Sequence, residues 1–295
     1  MSISAYLQPL VWAAVFTPAE YLFCVYPVVL MSHEWRQNVM LLLFNVIVTT
    51  FVSGAVAALI YVGVDAVVPT GLGAVVGAWP FWLQVIAAVV AADLGIYVSH
   101  RLMHTHYLWR FHEVHHSAEE MNWLVAYRFH PLDLTLTAVF TSVPLLMLGL
   151  SMEAVAVAKT IHGAQALLSH ANIALGFGPL RRILVDPRFH HWHHANERAA
   201  YDRNFSALFV AWDWLFGTLY VPERPRAAVF GTGELSRRGV FDLLLGPFRP
   251  SRPPSAGEAA LPETAAPTLA PMHEADCRSK PSVGTAPPHR ASKIR

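Results

Sequence analysis

The stretch AADLGIYVSHRLMHTHYLWRFHEVHH, residues 91–116, runs without a break from apolar sequence into a cluster of histidines. Its last 17 residues contain six of them. A single histidine is an ordinary surface or partnered core residue, but six in so short a span point to a shared chemical role. The apolar half predicts a helix, and the histidine half predicts a site at the end of that helix.

The composition of the whole chain is that of a membrane protein. Of its 295 residues, 54% are hydrophobic and 14% are charged, and the mean hydropathy is +0.38. A soluble globular protein carries about 25% charged residues, so the chain falls among integral membrane proteins. The formal net charge of +1 gives no field that would gather nucleic acid, and we expect no nucleic-acid partner.

The histidines recur at helical spacing in three places. Thirteen of the 16 lie between residues 100 and 194. Eight of them form an HxxxH box and two HxxHH boxes, in which positions i, i+3 and i+4 share one face of a helix. A structural zinc ion takes four ligands and a catalytic zinc ion three, so eight imidazoles predict two metal ions. The eight are His100, His104, His112, His115, His116, His190, His193 and His194.

Five apolar segments predict an all-α fold in the form of an integral membrane helical bundle. About 20 apolar residues cross a bilayer core, and the second segment meets this length most clearly. The last two are separated by a turn and predict a helical hairpin. The N-terminus lacks the basic region and cleavage site of a signal peptide, so we expect the first segment to stay in the mature protein. The segments are residues 9–31, 39–64, 79–99, 134–150 and 152–168.

Positive charge is unequally distributed between the connecting segments. The connector 69–77 has no lysine or arginine, whereas seven arginines lie on the other side of the predicted bundle. The positive-inside rule places that side in the cytoplasm. We therefore expect a multi-pass protein whose active site faces the cytoplasm, with a cytoplasmic helical cap carrying the di-metal site. The arginines are Arg36, Arg101, Arg110, Arg128, Arg181, Arg182 and Arg188.

The chain is expected to divide into three parts. Residues 1–78 hold the N-terminal transmembrane segments, and residues 79–248 hold the domain with the histidine boxes. Residues 249–295 are rich in proline and alanine and have no apolar periodicity. Such a segment cannot bury enough apolar area to offset the entropy lost on ordering, so we predict a disordered tail.

Two other classes of protein use histidines in related patterns. A membrane metal transporter would place histidines and acids along a pathway at mid-membrane, whereas these cluster at and beyond helix ends. A zinc hydrolase would use an HExxH motif, and residues 112–116 match it superficially. The additional His115 and the two other boxes favour an incidental match.

Five motifs resemble the fatty acid hydroxylase / sterol desaturase superfamily of membrane non-haem di-iron enzymes. They cover roughly residues 80–225, and three boxes in this order are specific to histidine-box enzymes. The short interval between the first two boxes is similar to this superfamily and differs from the acyl-CoA desaturases. The motifs are DLGIYVSHRLMH (93–104), LWRFHEVHHS (108–117), YRFHPLD (127–133), FHHWHHA (189–195) and AWDWLFGTLYVPE (211–223).

The resemblance implies that the eight box histidines are catalytic and bind two iron ions. It also implies a further iron ligand before the last box, where His170 in LLSHANI matches a family histidine. His162 is the other candidate, and the spacing leaves open which of the two completes the ligand set. Asp93 lies seven residues before His100, two turns along the same helical face. A carboxylate inside an apolar helix needs a partner, so we expect Asp93 to orient a metal-bound histidine.

The resemblance further implies the reaction. A membrane di-iron oxygenase of this type hydroxylates a C–H bond of a lipid, with O2 as co-substrate. The sequence has no flavin, nicotinamide, haem or iron–sulfur motif, so the electrons are expected from an external NAD(P)H-linked reductase chain. The donor protein would be cytochrome b5-like, a ferredoxin or a reductase. A sterol-type lipid desaturase acting at the same site is the alternative, because the ligand set serves both outcomes.

Overall fold

The computed structural model describes residues 3–67, 70–224, 226–233, 235 and 238–249. Within these ranges the chain is helical, with short 3-10 turns and two isolated bridges, Leu184 with Phe209 and Ala195 with Phe230, in place of strands. The all-α prediction is confirmed for this part of the chain. The predicted tail lies outside the described residues after Arg249. The helices are α1 (Ile3–Phe23), α2 (His33–Val67), α3 (Thr70–Gly77), α4 (Phe81–Met103), α5 (Trp109–His116), α6 (Pro131–Met147), α7 (Met152–His170), α8 (Pro187–His193), α9 (Ala211–Leu215) and α10 (Val240–Leu245).

Helix α1 ends earlier than the first apolar segment. The sequence predicted an apolar run to residue 31, but the helix stops at Phe23. A side chain distant in sequence holds the chain beyond it. Asn172 accepts hydrogen bonds from the backbone N–H groups of Val25 (3.0 Å) and Tyr26 (2.8 Å) and donates to the Tyr26 carbonyl (2.9 Å). These bonds satisfy backbone groups that a continuing helix would otherwise pair.

Helix α4 is the centre of the described fold, since it packs against both α6 and α7. Small side chains on α4, including Ala88 and Ala92, lie in a buried cluster with Leu145 of α6 and Ala158 of α7. Gly95 marks the closest approach: a Cβ atom there would lie 2.3 Å from the Phe140 carbonyl oxygen. The absence of a side chain thus lets α4 and α6 touch backbone to backbone.

The predicted helical hairpin is present as α6 and α7. The chain reverses between Met147 and Met152, where Gly149 adopts a left-handed φ of 68°. Ser151 begins α7 as its N-cap, accepting from the Ala154 N–H at 3.4 Å, which satisfies one of the first unpaired donors of the helix. The hairpin returns the chain toward the end of α4 that carries histidines, and α7 ends at His170.

One described helix, α4, is long and apolar enough to cross a membrane, with a mean hydropathy of 1.9 over its best window. Only 39% of that window is buried inside the protein. Length and composition of this kind also describe the core helix of a soluble protein.

Candidate metal centre

Four elements bring the predicted histidines together. The first box lies at the C-terminal end of α4, the second on α5 and the third on α8, while His170 ends α7. The nine side chains form two groups, in each of which the possible ligand atoms lie within 4.8 Å of one another. Group 1 comprises His100, His104, His112, His116 and His193, and group 2 comprises His115, His170, His190 and His194.

The two groups are adjacent. The imidazole of His116 in group 1 stacks on that of His194 in group 2, with ring centroids 4.5 Å apart, and the ring of His115 lies 5.2 Å from that of His112. Both HxxHH boxes divide their members between the groups. A single helical face therefore contributes side chains to both groups, and the two candidate metal sites lie side by side between the same elements.

In group 1, four imidazoles are oriented through their Nδ1 atoms. His100 bonds the Phe205 carbonyl at 2.9 Å, and His193 bonds the Arg203 carbonyl at 2.7 Å. His104 and His112 bond carboxylates, Asp202 at 3.1 Å and Asp133 at 2.6 Å. Each partner atom is an oxygen that accepts the hydrogen bond from the Nδ1–H group. The Nε2 atoms of all five rings are buried and have no hydrogen-bond partner in the described part of the chain.

In group 2, the Nε2 atoms meet one another directly. His170 Nε2 lies 3.1 Å from that of His115, 2.9 Å from that of His190 and 3.2 Å from that of His194. The Nδ1 atoms of His115 and His170 face the carbonyls of Arg128 (3.3 Å) and Ala166 (2.7 Å). Since a carbonyl only accepts, both Nδ1 atoms donate.

This arrangement fits a metal ion. A neutral imidazole carries one N–H, so the Nε2 atoms of His115 and His170 present lone pairs to each other at 3.1 Å. Two lone pairs at this distance repel unless a cation lies between them. Imidazole nitrogens bound at about 2.0–2.1 Å to one ion are themselves about 2.8–3.4 Å apart at right or tetrahedral angles. The three separations from His170 Nε2, 3.1, 2.9 and 3.2 Å, fall in that range.

Burial keeps these imidazoles neutral. It lowers the pKa of His115, His116 and His190 well below the ordinary value near 6.5, and neighbouring imidazoles lower it further. The pKa values of His193 and His194 are lowered well below the ordinary value for the same reasons. Histidine binds metal in the neutral form, so the ligand form is the one present at neutral pH.

Asp93 has a different position from the one expected. Its carboxylate is fully buried and accepts from the backbone N–H groups of Leu208 and Phe209, both at 2.9 Å, and from the Trp212 indole at 2.8 Å. Its histidine neighbour is His162, at 3.3 Å, which belongs to neither group. Asp93 lies two turns of helix away from the histidine groups. At that position it holds the segment 208–212, which follows the third box. The expected contact with a box histidine is absent from its described contacts.

The open choice between His162 and His170 has a geometric answer. His170 lies at the centre of group 2, whereas His162 hydrogen-bonds the Ala158 carbonyl through Nδ1 at 2.9 Å and faces Asp93 through Nε2. The two positions are eight residues apart on α7. Of the two, the later position, at the end of α7, lies among the other histidines.

Sequence reasoning missed the residues that orient group 1 from the loop 202–206. Asp202, Arg203 and Phe205 hold three imidazoles, and neither Asp202 nor Asn204 resembles a motif in the sequence. Both have left-handed backbone, with φ values of 55° and 59°, which only tertiary contacts reveal. The one available signal for this loop was the Trp212–Asp213 pair in AWDWLFGTLYVPE (211–223), which we call the WD motif. The Asp213 carboxylate accepts from the N–H groups of Phe205 (2.9 Å) and Ser206 (2.8 Å).

The YRFHPLD motif serves the second box. Arg128 is fully buried, and its guanidinium donates to the Val114 carbonyl (3.0 Å), the Ser117 hydroxyl (2.8 Å) and the Asn38 side chain (2.9 Å). These bonds tie α2 to the C-terminal end of α5, while the Arg128 carbonyl orients His115. His130 is the N-cap of α6, accepting from the Leu132 N–H at 3.1 Å, and belongs to neither group.

The HExxH pattern has no catalytic glutamate at the metal centre. Glu113 lies beside Thr232, and the charge of Arg238 also acts on it. Burial raises the pKa of Glu113 above its ordinary value, and these two contacts oppose that rise. A zinc hydrolase needs this carboxylate beside the metal-bound water, so the geometry disfavours that class.

Known proteins match the same part of the chain. The family model for fatty acid hydroxylase matches residues 85–218. An ornithine lipid hydroxylase from Rhizobium tropici is 36% identical over 172 residues, which are 58% of this chain and 52% of that protein. Alkylglycerol monooxygenases from Danio rerio and Homo sapiens are 32% and 31% identical over 56% and 45% of this chain. The matches cover 35% and 29% of those two proteins.

The chain therefore spans about half, or less, of the curated relatives it matches. No solved structure matches the chain significantly. The span from 85 to 218 contains all nine histidines of the two groups, the carboxylates of Asp133 and Asp202, and the WD motif. Family and geometry thus coincide on one segment. The resemblance of the histidine boxes to this family is confirmed: residues 85–218, the segment that holds both groups, match the fatty acid hydroxylase family model.

Proposed function

We propose that the protein is a membrane-bound di-iron oxygenase that hydroxylates a C–H bond of a lipid. The observation that carries this proposal is the convergence of nine imidazoles, seven from buried residues and two (His100 and His104) from partly buried ones, in two adjacent groups with their Nε2 atoms directed inward. Imidazole suits iron among first-row metals. In the balanced reaction, O2, two electrons and two protons convert the C–H bond to C–OH and release one water. Two bound iron ions would supply the activation of O2 and the oxidation of the C–H bond.

The protein's own contribution is orientation and the exclusion of water. Hydrogen bonds from Nδ1 to Phe205, Arg203, Asp133 and Arg128 fix the tautomer and direction of their rings. Such partners also raise the basicity of the imidazole they hold. The rings themselves are buried, so bulk water has little access to the centre. The five histidines of group 1 would together bind one ion, and the four histidines of group 2 would bind the other.

Hydroxylation is supported over desaturation by the relatives. The names of the proteins in the comparison, ornithine lipid hydroxylase and alkylglycerol monooxygenase, describe insertion of oxygen into lipids. The sterol-type desaturase has no corresponding observation in its favour. We propose a lipid substrate for this chain on the same basis, with electrons from an NAD(P)H-linked reductase chain through a cytochrome b5-like protein, a ferredoxin or the reductase itself.

A membrane location is supported by the exposed surface of the helices. On α4, the apolar side chains of Trp82, Ile86 and Val90 follow one another at intervals of four residues and are 62%, 52% and 39% exposed. On α2, Leu43 and Phe51 are 61% and 74% exposed. Soluble monomers seldom expose continuous apolar surface of this kind. We propose a multi-pass protein with the metal centre on the cytoplasmic side, as the positive-inside rule predicts.

We propose that the chain is divided into three parts. Residues 1–78 would supply membrane segments, residues 79–248 the catalytic domain, and residues 249–295 a tail outside the catalytic machinery. The distribution of the histidines supports the second bound, since all nine lie between 100 and 194. A transporter is disfavoured because the histidines gather at one end of α4 and α7 instead of along them.

The test is oxidation of a lipid extract by the full-length protein in membranes. With O2, NADPH or NADH and a reductase fraction, mass spectrometry should show lipids heavier by one oxygen, and 18O2 should label them. His193→Ala should abolish the labelled product. Products lighter by two hydrogens, without label, would instead identify a desaturase, and an unchanged lipid profile would contradict the proposal.

A further inference from the structure

The two groups of histidines are held by different parts of the chain. In group 2, His115 is oriented by the Arg128 carbonyl and His170 by the Ala166 carbonyl within α7 itself, and none of the described Nδ1 partners of this group lies in the loop 202–206. Group 1 depends on the 202–206 loop, which supplies the acceptors for three of its five rings. His100 bonds Phe205, His104 bonds Asp202, and His193 bonds Arg203.

The same loop also covers these three imidazoles with an aromatic ring. The Phe205 side chain is 2% exposed, and its centroid lies 5.6 Å from that of His100, 4.9 Å from that of His104 and 5.7 Å from that of His193. The contacts are edge-on. Loop and ring thus set the direction and the separation of three side chains at once.

The loop is fixed from behind by the WD motif and the residues after it. Asp213 accepts from the N–H groups of Phe205 (2.9 Å) and Ser206 (2.8 Å) and from the Thr218 hydroxyl (2.6 Å). Asn204 is fully buried and exchanges hydrogen bonds with the backbone of Tyr220, at 2.8 and 2.7 Å. These bonds hold left-handed backbone at two residues other than glycine, a conformation that Asp and Asn tolerate best.

We propose that the 202–206 loop is a positioning element for group 1 alone, so that loosening it releases the metal ion of group 1 while group 2 keeps its own. The inference rests on the proposed di-metal function and deepens it, since the two ions are held independently. Loss of a partner that orients a metal-bound histidine typically lowers metal affinity by about 10–100-fold. The described contacts predict that this loss falls on one ion of the pair.

Asp202→Ala is the principal test. The Asp202 side chain is 72% exposed, so its removal spares the core, yet it deprives His104 of its Nδ1 acceptor. Asp213→Asn is the second variant, because the amide keeps the shape of the carboxylate but cannot accept from both loop N–H groups. Asp242→Asn, in an exposed ion pair with Arg249, is the matched control.

The measurement is iron per chain, by elemental analysis of the purified full-length protein during timed dialysis against a chelator. The wild-type protein and Asp242→Asn should retain two irons over a period in which Asp202→Ala and Asp213→Asn fall to one. Adding His170→Ala, which removes a group 2 ligand, to Asp202→Ala should then release the second ion. This combination assigns the ion that Asp202→Ala retains to group 2.

The possible outcomes distinguish a failure of the inference about the loop from a failure of the proposed metal centre. The inference is overturned if Asp202→Ala loses iron no faster than the wild-type protein, or if it loses both ions together. Either result would leave the proposed di-metal centre in place. A wild-type protein with no bound metal would contradict the proposed function itself. If Asp213→Asn fails to fold, as judged by its thermal melting, Asp202→Ala decides the question alone.

Discussion

His115 joins the two halves of the centre. Its Nε2 lies 3.1 Å from that of His170 in group 2, while its ring centroid is 5.2 Å from that of His112 and 5.6 Å from that of His116 in group 1. Burial lowers its pKa well below the ordinary value, so it stays a neutral ligand. The Arg128 carbonyl fixes its tautomer. One side chain would thus bind the ion of group 2 while packing against the imidazole rings of group 1.

We predict that His115→Ala abolishes lipid oxidation and reduces bound iron below two per chain, while insertion into the membrane is unchanged. The removed nitrogen is one of the four that the described residues bring to group 2, and His115 lies outside the helices that we propose to face lipid. Immunoblots of membrane fractions and metal analysis check the two expectations. His106→Ala is the control, since His106 is exposed and lies in neither group. Wild-type oxidation by His115→Ala would refute the ligand assignment.

Asp133 provides a second test, of a side chain that orients a candidate metal ligand. It lies 2.6 Å from His112 Nδ1 and is 2% exposed. Asp133→Asn keeps the shape of the side chain but replaces the carboxyl group that pairs with His112 Nδ1 by an amide, so iron affinity should fall by about 10–100-fold. Competition with a chelator measures the change. An affinity equal to that of the wild-type protein would leave Asp133 with a purely structural role.

Among the elements, the contact of α4 with α6 sets where the first box lies. A Cβ atom at Gly95 would lie 2.3 Å from the Phe140 carbonyl oxygen, a backbone atom that cannot move by itself. The two helices are in direct contact here, and the Asp133–His112 bond lies at one end of α6. Any increase in the helix separation therefore also moves a partner of the metal centre.

Gly95→Ala should destabilise the protein by about 1–3 kcal/mol, the cost of forcing extra volume into a packed interface. Gly163→Ala is its matched control: Gly163 lies within α7, and an added Cβ would have no neighbour within 4 Å. Because alanine favours a helix over glycine by about 1 kcal/mol, the control should be neutral or stabilising. Thermal melting in detergent compares the two, and equal melting temperatures would argue against close packing at Gly95.

The elements also show how far sequence alone reaches. Periodicity predicted the hairpin of α6 and α7 and the helix leading into His100, because local apolar patterning decides both. Spacing likewise brought the box histidines to shared faces. The sequence predicted that Asp93 contacts a box histidine, whereas its partners include Leu208 and Phe209. These residues lie 115 and 116 positions further along the chain, so no local pattern reveals the contact. The positions of Asp202 and Asn204 depend on left-handed backbone that the fold imposes, which no local pattern encodes.

For the whole molecule, the proposed orientation in the membrane follows from charge. The connector near α3 lacks positive residues, whereas the segments around the metal centre carry seven arginines. A cysteine introduced at Ala74 should react only with reagents applied from outside the cytoplasm, and one at Ala199 only from the cytoplasm. Both positions are exposed in the structure. Labelling of both cysteines from the same side would contradict an odd number of crossings between them.

Two adjacent iron ions held by nine imidazoles are the central claim, and the metal content of the purified wild-type protein tests it most directly. Elemental analysis of full-length protein, produced with iron available and normalised to quantitative amino-acid analysis, should give two irons per chain. Mössbauer spectra of the 57Fe-enriched protein should show a coupled pair. One iron per chain, zinc in place of iron under the same conditions, or two uncoupled ions would contradict the account.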